Sequence, residues 1–136
     1  MTTAVDGGVL LDIFGSDAKF GPRSKEAVRL CLGEGKLMAC EVVWAEVASF
    51  FPSPAAAEDA MKTMGIEYDP ISQRAALAAA GAWKVYRVHG GKRERVVADF
   101  LIAAHAFAQA DRLVTRDRGF YRAYFSRLRV LDPSKA

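Results

Sequence analysis

Apolar and polar positions along this chain follow two alternating spacings. Short apolar runs recur at Thr3 to Asp6, Leu37 to Cys40, Ile66 to Tyr68, Arg112 to Thr115 and Leu128 to Leu131. Such runs read as brief strands buried on both faces. Between them, apolar side chains return every three or four residues, the spacing of a helix with one buried face. Gly7-Gly8 is expected to turn the chain into a short helix over the Val9 to Phe14 run. Ala27, Val28, Cys31 and Leu32 predict a helix from Ser24, closed by Gly33 and Gly35. Val43, Glu46, Val47 and Phe50 belong to the next one. Ser53-Pro54 reads as an N-cap with proline at the first helical position, and that helix runs to Gly65. An alanine-rich helix is predicted from Ser72 through Trp83, another over Val97 to Ala110, and a helical turn over Phe120 to Phe125. The basic stretch Lys84 to Arg95, with Gly90-Gly91 inside it, is expected to be a loop or a frayed helix end.

Strands alternating with amphipathic helices imply an α/β fold. The expected form is a three-layer sandwich, in which a short, mainly parallel central sheet is flanked by helices. Residues 1–136 are expected to form a single domain. In such sheets ligands bind outside the carboxyl ends of the strands. That edge is where Asp6, which closes the first strand, and Asp117, which follows the Arg112 to Thr115 strand, are expected. Glu46 lies on the helix after the second strand, and Asp99 opens the helix that leads into the fourth. One edge can therefore gather all four acids.

Composition narrows the class. With 51% hydrophobic and 26% charged residues the chain can bury a core and is not disordered. Nineteen basic and sixteen acidic residues leave +3, which allows a nucleic-acid partner without requiring one. Cys31 and Cys40 match neither a redox pair nor a zinc set, so they are expected as buried free thiols. Asp6 and Asp12 interrupt the first apolar stretch, which excludes a signal peptide there, and no apolar run reaches membrane-spanning length. Cytoplasmic residence without membrane association is the expectation.

Four carboxylates brought together make an oxygen-only site for a hard divalent cation, suited to metal-assisted attack on a phosphodiester. Each acid has a plainer alternative. Asp6, Asp99 and Asp117 each stand where a helix-capping Asp is common. Glu46 sits on a helix that is otherwise apolar at Val42, Val43, Trp44, Ala45, Val47 and Ala48, and an acid in that company calls for a partner. Among the other acids, Glu41 reads as solvent-facing, Asp12 as a weak outer ligand and Asp69, before Pro70, as turn chemistry. His105 is six positions after Asp99, about 120° around the helix, and is expected in the core or an interface.

The stretches A-V-D-G-G-V-L-L-D-I-F, V-V-W-A-E-V, D-F-L-I-A-A-H-A and V-T-R-D-R-G-F-Y resemble the signature regions of PIN-domain ribonucleases, particularly the VapC-type toxins of toxin–antitoxin pairs. The resemblance runs from Val5 to Leu131 in the family's order. It implies a magnesium- or manganese-dependent endoribonuclease that is a homodimer and is inhibited by a cognate antitoxin. The family's acidic quartet falls on Asp6, Glu46, Asp99 and Asp117, as catalytic residues and metal ligands. Where many relatives carry a hydroxyl residue followed by Asn or Ser, this chain has Gly7-Gly8. Thr115 is then the candidate for a hydroxyl beside the site. Arg116 and Arg118 flank Asp117 and are expected at the pocket mouth as RNA contacts. Phe50, Phe51 and Met61 are expected to offer apolar surface to a partner helix. Two rivals stand beside the ribonuclease: a catalytically silent PIN-like module that binds RNA or protein, and a receiver-type phosphorylation domain. The second lacks the lysine it needs at the end of a late strand, since only Lys135 lies near there.

Overall fold

The computed structural model describes residues 1–91 and 97–135. Along the chain run β1 (Thr2–Val5), α1 (Gly7–Phe14), α2 (Gly21–Glu34), β2 (Lys36–Ala39), α3 (Glu41–Ala48) and α4 (Pro54–Thr63). Then follow β3 (Ile66–Tyr68), α5 (Gln73–Val88), α6 (Val97–Gln109), β4 (Arg112–Val114), α7 (Arg118–Tyr124) and β5 (Val130–Leu131). The five strands form one sheet in the order β3-β2-β1-β4-β5, and every neighbouring pair is parallel. Consecutive residues Thr3, Ala4 and Val5 are buried, as are Leu37, Met38 and Ala39. Successive strand side chains point to opposite faces, so both faces of the sheet are covered. The layered α/β fold expected from the spacing is the one observed.

Several boundaries differ from the expectation, each for a local reason. Gly7 and Gly8 are the first residues of α1 and not a turn before it. α2 starts at Gly21 with Pro22 in its first turn, where a missing amide costs nothing. α5 continues past Trp83 to Val88, because Tyr86 packs with Phe100 and Tyr124 and makes the extra turn part of a core. Lys84 to Val88 is thus helical, and the expectation for residues 92–96 lies outside the described residues. β5 is only Val130–Leu131, and α7 begins two residues before Phe120.

Two apolar clusters hold the elements. The larger joins β1, β2 and β4 to α1, α2, α3 and α6 through Val5, Leu10, Val28, Leu37, Val43, Ile102 and Leu113. The smaller lies where Ala75, Ala79 and Tyr86 of α5 meet Phe100 and Ala104 of α6. The alanines let the two backbones approach closely, and Phe100, fully buried, packs edge-on against Phe120 at 5.1 Å.

Polar groups fix the turn between β3 and α5. His105 Nε2 lies 2.8 Å from Asp69 Oδ2, and Gln109 Nε2 donates to the same oxygen and to the Pro70 carbonyl. The Ser72 amide donates to Gln109 Oε1, and the Ile71 amide donates to Glu41 Oε1. Asp69 therefore does more than turn chemistry, and Glu41 is half-buried and engaged instead of solvent-facing. His105, 1% exposed, is a core residue as expected. Cys31 and Cys40 are buried free thiols.

Candidate active site

Strand order reverses direction at the sheet's centre: the chain moves from β1 to β2 and β3 on one side, and β4 and β5 lie on the other. The crevice between β1 and β4 is the switch point at which open α/β sheets bind ligands. Asp6 leaves β1 there, with its amide donating to the Val114 carbonyl at 3.0 Å. Thr115 leaves β4 opposite it, its amide held by the Leu131 carbonyl. The Thr115 side chain is completely buried. Its Oγ1 donates to Asp6 Oδ2 at 2.7 Å and accepts the Asp117 amide at 3.1 Å. One hydroxyl thus ties together two acids that lie over 100 residues apart in the chain.

The capping alternative is absent for two of the acids. Asp6 and Asp117 occupy the N-cap positions of α1 and α7, yet neither side chain makes a cap hydrogen bond. Asp99 lies within the first turn of α6. Glu46 lies in α3, on the exposed side, and its carboxylate faces Gly7: a Cβ at Gly7 would stand 3.0 Å from Glu46 Oε1. Glycine at position 7 therefore lets the Glu46 carboxylate come close to the start of α1. A side chain there would require that carboxylate to give way by a few tenths of an ångström.

Electrostatics brings all four acids into one neighbourhood. Burial raises the Asp6 pKa above its ordinary 3.8; the Thr115 hydroxyl and the Gly7 amide oppose this, while the charges of Asp99 and Asp117 add to it. The Glu46 pKa is also raised, by desolvation and then by the charges of Asp6 and Asp99. Like charges disfavour ionisation of a neighbour, so Asp6 is within electrostatic reach of Asp99 and Asp117, and Glu46 within reach of Asp6 and Asp99.

Asp6, Gly8, Val9, Thr115, Arg116 and Asp117 line a hollow of about 260 Å³. A larger hollow, about 450 Å³, lies at the α1–α2 turn with Asp17 as its only acid, and has no comparable chemistry. The oxygen-only donor set and its repulsion suit a hard divalent cation. Among the described residues no three His, Cys, Asp or Glu side chains converge on one point as they stand. Binding an ion would therefore require the carboxylates to rotate inward.

Arg116 is placed differently from the expectation. The residue lines the hollow, but its guanidinium pairs bidentately with Asp12, Nε at 2.7 Å and Nη2 at 3.0 Å, and lies 3.9 Å above the Phe20 ring. Asp12, 7% exposed, also accepts the Ser24 hydroxyl. Asp12 is thus a structural partner and not an outer ligand, and Arg116 anchors the turn that carries Asp117 to α1. Arg116→Ala leaves a buried carboxylate unpaired. It should lower stability by about 2 kcal/mol, below the range for a fully buried pair because Arg116 is one-third exposed. Urea denaturation measures this, and an unchanged midpoint would show that the pair does not matter. Sequence reading could not find it, because the partners are 104 positions apart. Arg118 is exposed and points to a separate hollow with Arg122. Of the surface expected for a partner helix, Phe50 is 51% exposed, but Met61 is 1% exposed and belongs to the core.

The PIN domain family model matches residues 3–126. Similar solved structures include VapBC-1 from nontypeable Haemophilus influenzae, with TM-score 0.75, 13% identity and coverage of 98% of this chain and 99% of that one. VapBC2 from Rickettsia felis, solved with a DNA fragment from its promoter, gives 0.73 at 15% identity, covering 97% and 98%. A toxin–antitoxin complex from Klebsiella pneumoniae gives 0.67 at 20% identity, covering 96% and 97%. At these identities the likeness is one of fold. No curated protein matches the chain significantly.

Proposed function

Because this chain belongs to the PIN-domain family, we propose that it is a metal-dependent endoribonuclease, the toxin of a toxin–antitoxin pair, cleaving cellular RNA in the cytoplasm. The observation that carries this reading is the Thr115 hydroxyl that joins the Asp6 carboxylate to the Asp117 amide at the crevice between β1 and β4, with the Glu46 carboxylate against Gly7. Asp6, Glu46, Asp99 and Asp117 would hold Mg²⁺ or Mn²⁺. Bound there, the ion supplies Lewis acidity and an activated water for phosphodiester hydrolysis. Thr115 holds the Asp6 carboxylate and the Asp117 backbone in a fixed relation, which sets the ligands' orientation. The hydrogen bond from Thr115 to Asp6 keeps that acid more ionised than its burial alone would allow.

The partners in this reading are an RNA strand, a second copy of the chain and an antitoxin. Arginine is the best group with which an antitoxin could silence the site, since its planar fork pairs with two carboxylate oxygens and stays charged. Among the described residues no helix is long and apolar enough to cross a membrane.

The test is incubation of the purified protein with a single-stranded RNA under Mg²⁺, Mn²⁺ or EDTA. Cleavage with either ion and none in EDTA supports the reading. RNA binding that survives EDTA, with no cleavage under any metal, would instead identify a silent PIN-like binding module.

A further inference from the structure

Arg118 and Arg122 stand one helical turn apart on α7 and so share a face. With Ser126, Leu128 and Val130 they line a hollow of about 200 Å³. Among the described residues, no carboxylate pairs with either arginine, or with the neighbouring Arg127 and Arg129. Two guanidinium groups at that spacing repel each other unless an anion lies between them. The hollow supplies what a tetrahedral anion needs: two planar donor forks and the Ser126 hydroxyl. Its position selects the anion. Arg118 follows Asp117 directly, so consecutive residues line the arginine hollow and the acidic one. Arg116, by contrast, is already neutralised by Asp12 and leaves phosphate binding to others.

We propose that the Arg118–Arg122–Ser126 hollow binds a backbone phosphodiester of an RNA strand, adjoining the one held at the acids. The proposal rests on the ribonuclease reading and adds a subsite to it: the acids take the scissile phosphate, and α7 holds the strand in register beside it. Contacts of this kind position a strand without reading its bases.

The test uses fluorescence anisotropy of a labelled single-stranded RNA in EDTA, where binding is seen without cleavage. Arg118→Gln/Arg122→Gln should weaken binding about tenfold and reduce the slope of log K against log salt by about 0.7, the loss of one phosphate contact. Arg29→Gln/Arg74→Gln removes the same charge from α2 and α5 and should change neither quantity appreciably. Replacing single phosphodiesters by neutral methylphosphonates should weaken wild-type binding most at one linkage, and the double variant should be insensitive there. Equal losses in the two double variants, or the same methylphosphonate profile in both proteins, would overturn the subsite. Binding of a free 5′-mononucleotide as tight as that of the strand would also overturn it, by showing a site for small phosphates. Cleavage by a protein whose binding ignores the hollow rejects the subsite alone. Binding through the hollow without cleavage under any metal rejects the nuclease reading alone.

Discussion

Asp6→Asn and Asp99→Asn should each reduce RNA cleavage by about a thousandfold, the equivalent of about 4 kcal/mol of transition-state stabilisation. Asn preserves the shape of Asp and keeps one oxygen, but it cannot carry the charge that would bind and polarise through a cation. The fold should persist, since Asp6 does not cap its helix through its side chain and Asn matches Asp99 in size in the first turn of α6. The metal-free Asp6→Asn variant should in fact be more stable than the wild type at pH 7. In the wild type burial, and then the charges of Asp99 and Asp117, oppose ionisation of the Asp6 carboxyl, and Asn carries no such penalty. Initial rates of cleavage and urea denaturation in EDTA measure the two effects. Wild-type cleavage by either well-folded variant would remove the quartet from the mechanism.

Magnesium or manganese should raise the melting temperature, and the rise should depend on pH in a definite sense. An ion that binds only the folded state stabilises it by about 2.7 kcal/mol at a hundred times its Kd, which for a chain of this size moves Tm by roughly 10 °C. Asp6 and Glu46 titrate above their ordinary values of 3.8 and 4.5 in the folded protein. Their contribution to stability is fully present below those ordinary values and is lost as pH rises through the higher folded ones. In EDTA, the stability advantage of Asp6→Asn over the wild type should therefore shrink as pH falls from 7 towards 4. The metal-induced shift should shrink over the same range, because protons and the cation compete for the same oxygens. A melting temperature that ignores both ions at saturation would count directly against a metal site.

The site was partly legible because its chemistry follows the strand ends. Asp6 and Asp117 could be placed at one edge once the strands were recognised, since a parallel sheet aligns all its carboxyl ends. Glu46 is conspicuous among the apolar residues of its helix, and the close approach of its carboxylate gives Gly7 a role that the motif alone leaves unexplained. Thr115 was suspected from its position two residues before Asp117, but its double engagement with Asp6 and the Asp117 amide appears only when β1 and β4 are paired.

What the sequence determined by itself is local: short apolar runs make strands, a three-to-four-residue apolar spacing makes helices, and their alternation makes a parallel sheet covered on both faces. These follow from periodicities that each segment carries within itself. The tertiary structure alone decided the roles of groups that meet from distant segments. Arg116, Asp12, Asp69, His105 and Glu41 each acquired a partner that no spacing could announce, 30 to over 100 positions away. Side-chain ion pairs and hydrogen bonds depend on distance in space, and long-range packing sets that distance. An arginine beside a candidate acid therefore looked like a phosphate ligand until Asp12 was found against it. Arg118 and Arg122, which pair with no carboxylate among the described residues, are left as the groups with charge still to offer.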